Sequence, residues 1–265
     1  MDVEIDLTQS AQDNANEYFY KSKKAKHKKE GAQISIGDLE AKLEGARLKF
    51  EKAKDTKKVK IVGKREWYEK FHWFFASNGM MVIGGRDAVQ NELINSKHFD
   101  EKDLFFHADI FGASVTVLKG GVGAERYIKD EVAQFAGCYS SAWKEGLNTV
   151  DVYAMERKQV TKSKNQGSLG TGSFALSGER EWFRSMRLEL VAFVSKKVID
   201  EEEVTYLSVV PGKTFERMEG SHKGIRISIG KAKKSDAAKL ISRRLGYEDL
   251  DYIMQQLPAG EFTIK

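Results

Sequence analysis

The chain has 265 residues, enough for one large domain or an ordinary domain with appendages. Its 44 lysines and arginines are nearly offset by 39 acids, so a net charge of +5 excludes a global basic field and assigns any basic function to local clusters. The single cysteine, Cys138, rules out a disulfide framework and a multi-cysteine zinc site, and no segment approaches the roughly 18 apolar residues of a membrane span. The start, Met1-Asp2-Val3-Glu4, is acidic and has no apolar signal core, which predicts a soluble, cytoplasmic protein with no membrane partner. Two prolines, Pro211 and Pro258, argue against long disordered linkers.

Residues 7–29 and 38–58 both read as helix, rich in Ala, Glu, Lys and Gln, with Asp6 or Thr8 as the first cap. In the second, Leu39, Leu43, Ala46 and Phe50 make one narrow apolar stripe. With Gly31 and Gly37 at the join, the two helices predict an antiparallel hairpin, each arm about 30–35 Å long. Six lysines crowd this arm at Lys21, Lys23, Lys24, Lys26, Lys28 and Lys29. A second basic run follows at Lys52, Lys54, Lys57, Lys58, Lys60, Lys64 and Arg65. So dense a block of like charge repels itself and reads either as a solvated helix face or as a surface for a polyanion, of which nucleic acid is the simplest.

Globular character begins at Trp67. Phe71 to Ala76, the turn Ser77-Asn78-Gly79, and Met80 to Ile83 predict a β-hairpin with Asn-Gly at its turn. A helix over Arg86–Lys97 follows, then strands over Leu104–Ala108 and Ser114–Leu118 around the turn Ile110-Phe111-Gly112. Residues 125–144 give the clearest helix, with Ile128, Val132, Phe135, Tyr139 and Ala142 on one stripe. Cys138 falls near that stripe and reads as core. Strands at 150–155, 172–176 and 186–194 complete the segment. The remainder predicts strands near 204–210 and 225–229, then helices over 235–245 and 247–256, with Ser235 or Asp236 as cap and Gly246 as stop. The pattern is α+β, with neither βαβ alternation nor a repeat.

Three stretches carry candidate chemistry. In Gly84-Gly85-Arg86-Asp87, two glycines turn the chain into a helix whose free N–H groups, with Arg86, suit a phosphate. The alternative is a structural strand-to-helix corner with Arg86 and Asp87 paired. His107 and Asp109 lie two apart at a strand end and so point to one side, where they suit acid–base work, a metal, or a 2′-hydroxyl or phosphate contact. No other histidine has a spacing that completes a metal set with them. Between Met155 and Ser173 runs a basic Gly/Ser-rich loop in which Arg157, Lys158, Lys162 and Lys164 suit a phosphate backbone, or merely keep an exposed loop soluble.

Taken in order, Trp67–Phe75, Val82–Glu92, Phe106–Ser114, Cys138–Trp143, Arg157–Lys162 and Thr171–Phe174 resemble the signature of the NFACT-R domain. Its family includes the eukaryotic nuclear export mediator factor, the bacterial ribosome-quality-control homologue and the fibronectin-binding-protein-A-like proteins. Asn14-Ala15, Tyr18-Phe19-Tyr20 and the lysines after them resemble the family's coiled coil. The 200–265 tail resembles the extension of archaeal members.

The resemblance implies three parts: a helical hairpin or coiled coil over 1–62, a mixed α/β NFACT-R domain over 63–200, and a small α+β extension over 201–265. It implies a non-enzymatic, cofactor-free component of ribosome quality control that binds the obstructed large ribosomal subunit, its rRNA, or tRNA. The family's N-terminal domain and helix-hairpin-helix, to which tRNA selection and tailing are chiefly assigned, have no counterpart in these residues and are implied as partners, with a homodimer as a further expectation. The implied RNA contacts are Lys21, Lys23, Lys24, Arg86, Asp87, His107, Asp109, Arg157, Lys158, Lys162, Lys164, Thr171 and Ser173, with no catalytic or metal residue. The competing readings are a metal-dependent nuclease or phosphoesterase using His107, Asp109 and Arg86, and a coiled-coil protein-interaction scaffold.

Overall fold

The computed structural model describes residues 4–8, 10–55, 66–164, 167–168, 170–199, 202–218 and 223–265, which fall into two units, 1–61 and 62–265. Lys57, Lys58, Lys60, Lys64 and Arg65 of the second basic run lie outside the described residues.

The first unit is one helix, α1 (Ala11–Asp55), of 45 residues. The antiparallel hairpin expected here does not form, because the helix runs on through Gly31 and Gly37. Glycine costs roughly 1 kcal/mol against alanine inside a helix but does not end one unless it turns left-handed, and neither residue has a positive φ. Within the helix the Ser35 hydroxyl donates back to the Gly31 carbonyl at 3.0 Å. At 1.5 Å per residue the helix is roughly 68 Å long. Its N-terminus is closed by Ser10, not by Asp6 or Thr8. The Ser10 hydroxyl accepts from the Asp13 N–H (3.1 Å) and donates to the Asp13 carboxylate (2.6 Å). Asn14 pins the preceding segment, accepting from the Asp6 N–H at 2.9 Å and donating to the Asp6 carbonyl at 3.0 Å.

In the second unit, β1 (His72–Phe75) and β2 (Met81–Gly84) form the expected hairpin, with Gly79 at φ +84° in its turn. Next come α2 (Ala88–Lys97), β3 (Leu104–Ala108), β4 (Thr116–Leu118), α3 (Arg126–Cys138), α4 (Ser141–Lys144) and β5 (Thr149–Glu156). After a 3-10 turn at Arg157–Gln159 lie the short strands β6 (Val160–Thr161), β7 (Ser163–Lys164), β8 (Gly167–Ser168) and β9 (Ala175–Leu176). The longer strands β10 (Glu181–Arg187), β11 (Glu189–Ile199) and β12 (Glu202–Pro211) follow. Helix α5 (Gly212–Arg217), β13 (Gly224–Ala232), α6 (Lys234–Leu245), α7 (Leu250–Gln256) and β14 (Phe262–Ile264) complete the chain. The class is α+β, as expected.

Two antiparallel sheets organise these elements, one in the order β1-β2-β4-β3-β5-β10 and one in the order β12-β11-β13-β14. Helix α3 packs against strands of both. Its stripe residues Ile128, Val132 and Phe135 are fully buried, each gaining about 1.5–3 kcal/mol from leaving water. Strand pleating divides β3: Leu104, Phe106 and Ala108 join the core around α3, while Phe105 joins a second core with Ile94 of α2 and Tyr153. The first sheet is therefore covered on both faces, which explains its near-continuous apolar strands.

The helix expected over 125–144 breaks after Cys138. The Ser140 hydroxyl there donates to the Gly137 carbonyl (2.7 Å) and accepts from the Ala142 N–H (3.2 Å), so it starts α4 instead of continuing α3. Helix α6 begins after Lys233 with no side-chain cap, so neither Ser235 nor Asp236 has the expected role, whereas Gly246 ends it at φ +67° as expected. Strands β11 and β12 pair from Leu190–Pro211 to Ile199–Glu202. The expected boundary at residues 200–201 thus falls between two neighbouring strands of one sheet.

Candidate functional site

The second unit has a cleft of about 720 Å³ where α2, β3, β5 and the segment before β10 meet. Five of the sequence-predicted residues line it: Arg86, Asp87, His107, Asp109 and Ser173. The first four come together because β2 and β3 flank β4 in one sheet, which sets the end of β3 beside the start of α2.

Asp87 caps α2, its carboxylate accepting from the Gln90 N–H at 2.8 Å. The glycines before it serve close packing as well as turning. A Cβ on Gly85 would sit 2.1 Å from the Asn91 side-chain oxygen, which accepts from the Val115 N–H at 3.1 Å. Arg86 turns its guanidinium to the carbonyls of Phe71 (2.9 Å) and Glu69 (3.4 Å). Its charge fastens the segment before β1, which is nearer to the structural alternative than to a phosphate claw.

His107 faces the second core from β3, opposite Tyr153 in register. Its Nδ1 lies 3.2 Å from the Tyr153 hydroxyl. Burial holds its pKa below the usual histidine range, against the carbonyls of Ala108 and Ala113 and the carboxylate of Asp109, which favour the proton. A neutral imidazole at neutral pH contributes hydrogen bonds here, not a positive charge. Asp109 is exposed at the strand end. Among the described residues no group of three or more His, Cys, Asp and Glu could hold a metal ion.

The other predicted residues lie elsewhere. Lys162 forms an ion pair with Glu92 of α2, whose carboxylate also accepts from the Gly172 N–H at 3.1 Å. Lys162 and that N–H hold the Glu92 pKa below its usual value, and together they tie the Gly170–Phe174 segment to α2. Thr171 is exposed on that segment, which also carries Ser173 to the cleft. Arg157 donates to the Val160 carbonyl (2.8 Å) and lies over the Phe99 ring at 4.9 Å, away from the cleft. Lys158 is exposed and paired with Glu156 at 2.8 Å. Lys164 is described by its backbone alone, within β7. In the first unit, Lys21 pairs with Glu17 at 2.6 Å, one turn back, while Lys23 and Lys24 are exposed.

Sequence reasoning missed the aromatic and arginine parts of the cleft. Phe111 lines it and is 97% exposed. Arg180 also lines it, its guanidinium 4.4 Å from the Tyr153 ring centroid, and Arg184 stacks 3.9 Å from Trp182 on the edge strand β10. The signal was present in the two-residue spacing of Arg180, Trp182 and Arg184, which places all three on one side of an extended chain. Phe111 stood between Ile110 and Gly112 in a turn, a poor place to bury a phenyl ring.

A family model described as the NFACT protein RNA binding domain matches residues 70–178. A protein named as an archaeal Rqc2 homolog, aRqcH, from Methanocaldococcus jannaschii is 35% identical over 79% of this chain and 31% of its own length. The ribosome quality control complex subunit NEMF homolog of Drosophila melanogaster is 34% identical over 71% of this chain and 19% of its own. Ribosome quality control complex subunit 2 of Schizosaccharomyces pombe is 31% identical over 68% and 18%. The chain therefore spans about a third or less of these relatives.

Proposed function

The chain belongs to the NFACT family through its RNA-binding domain, and from that premise we propose that it is an RNA-binding component of ribosome-associated quality control that binds without catalysing a reaction. The observation that carries this reading is one of position. Every residue lining the cleft except Arg180 falls inside the stretch matched to the RNA-binding domain. The cleft and the lysine block of α1 supply different parts of an RNA contact. Exposed lysines on a helix neutralise phosphates without reading sequence, whereas aromatic and hydrogen-bonding groups in a cleft meet bases.

The polyanion on this reading is RNA of the large ribosomal subunit or tRNA, in the cytoplasm. The family's N-terminal domain and helix-hairpin-helix are the parts that would complete the assembly. Among the described residues no helix is long and apolar enough to cross a membrane.

Filter binding of labelled structured RNA tests the reading. The logarithm of affinity is expected to fall linearly with the logarithm of salt concentration, with a slope reporting the phosphates neutralised. The RNA should remain intact in Mg²⁺ or Mn²⁺. Absence of binding at about 50 mM salt, where such contacts are strong, would refute the reading. Metal-dependent cleavage abolished by His107→Ala would replace it with a nuclease.

A further inference from the structure

We infer that the cleft receives one unstacked base of the bound RNA, with Phe111 as its stacking platform and Arg180 at the adjoining phosphate. This rests on the RNA-binding reading of the same cleft and narrows it to unpaired nucleotides in loops, bulges or ends.

The phenyl ring of Phe111 stands in water, yet the backbone beneath it is fixed. Its carbonyl accepts from the Ser141 hydroxyl at 2.7 Å. Just before it, the Ile110 N–H donates to the Ala108 carbonyl and the Asp109 N–H to the Asp151 carbonyl, both at 2.8 Å. Gly112, at φ +77°, takes the left-handed conformation that closes the turn. An aromatic ring presented on a pre-ordered turn loses little freedom on binding, and its open face suits a base, whose own π face is indifferent to sequence.

Charge decides which part of the nucleotide enters. Two carboxylates, Asp87 and Asp109, line the cleft, and the Arg86 guanidinium is turned to backbone carbonyls. His107 is held neutral by burial. A phosphate inside would face like charge, whereas the amino group of a base can donate to the exposed Asp109 carboxylate. Arg180 differs from Arg86: it is exposed and its guanidinium lies over the Tyr153 ring, a position from which its charge can meet the adjoining phosphate. Continuous duplex offers no free base to such a site, because A-form pairing keeps the bases stacked inside.

The test compares an RNA hairpin carrying one bulged 2-aminopurine with the same hairpin fully paired. The chain should bind the bulged RNA at least about fivefold more tightly and change the 2-aminopurine fluorescence. Phe111→Ala should weaken binding to the bulged RNA by about 5- to 100-fold and abolish the preference, while Phe111→Trp keeps it. Because the side chain is almost wholly exposed, neither change threatens the fold. Equal affinity for both RNAs, unaltered by Phe111→Ala, would overturn the base-pocket inference and leave the RNA-binding reading intact. Failure of the unmutated chain to bind either RNA would overturn both.

Discussion

Phe135→Ala is expected to destabilise the second unit by about 3–5 kcal/mol, the usual cost of emptying a large aromatic site in a core. Phe135 lies on α3, which packs against both sheets, and it is fully buried. Its ring meets Phe74 at 4.7 Å and Tyr139 at 4.5 Å between centroids. It also lies close under Gly84, where an added Cβ would be 3.1 Å from the ring. The loss is therefore shared by β1, β2 and α3, and these elements cannot close the gap without shifting a sheet. A domain of this size has about 5–15 kcal/mol of stability in all, and each kcal/mol moves its melting temperature by about 2–4 °C. Calorimetry should show a drop of about 6–20 °C, with Phe135→Leu losing much less. A melting temperature within about 2 °C of the unmutated chain would mean that α3 does not join the two sheets.

Reversing three charges on α1, as Lys21→Glu, Lys23→Glu and Lys24→Glu together, should weaken RNA binding on the order of 100-fold at about 0.1 M salt. The reasoning is counterion release: each phosphate neutralised contributes a slope of about 0.7–0.9, so each is worth about fivefold at 0.1 M relative to 1 M. The slope itself should fall by about 2 or more. Glutamate and lysine have similar helix propensity, so circular dichroism should show the helix intact. The local penalties are small: the Lys21–Glu17 ion pair, 2.6 Å long in the native chain, turns repulsive, an exposed pair one turn apart being worth only about 0.3–0.5 kcal/mol, and Lys21 leaves the Tyr18 ring. An unchanged affinity and slope would make the lysine block a solvated helix face.

Local chemistry made much of the second unit legible in the sequence. Asn78-Gly79 announced its hairpin because few residues other than glycine accept the positive φ that the turn needs. The stripe Ile128, Val132, Phe135 announced α3 because one face must be apolar to sit between sheets. Where two local signals compete, the sequence was less readable. Tyr139 and Ala142 continue the apolar stripe in register, but the Ser140 hydroxyl between them breaks the helix. Gly31 and Gly37 looked like a loop and are helical, because glycine weakens a helix without imposing a turn.

The candidate site was legible in its pieces and not in its assembly. The segments at 84–92, 106–114 and 171–174 each stood out; strand pairing brings parts of the first two to one cleft, and the Glu92 carboxylate ties the third to α2 beside them. Their charges were harder to read. Arg86, Arg157 and Lys162 look alike in sequence, yet each is committed to a carbonyl or carboxylate of the fold, as only tertiary contacts reveal. Phe111 was passed over because a lone phenylalanine in a turn carries no local pattern, and Arg180 because its two-residue spacing with Trp182 and Arg184 shows a shared side but not the cleft it faces.

The central proposal is that this chain binds RNA as part of ribosome quality control, on the large subunit, and sedimentation with separated ribosomal subunits over a salt series tests it most directly. The chain should travel with the large subunit in preference to the small one and be released steadily as salt rises. Recovery of the chain in the supernatant at the lowest salt, or equal partition between the two subunits, would contradict the account.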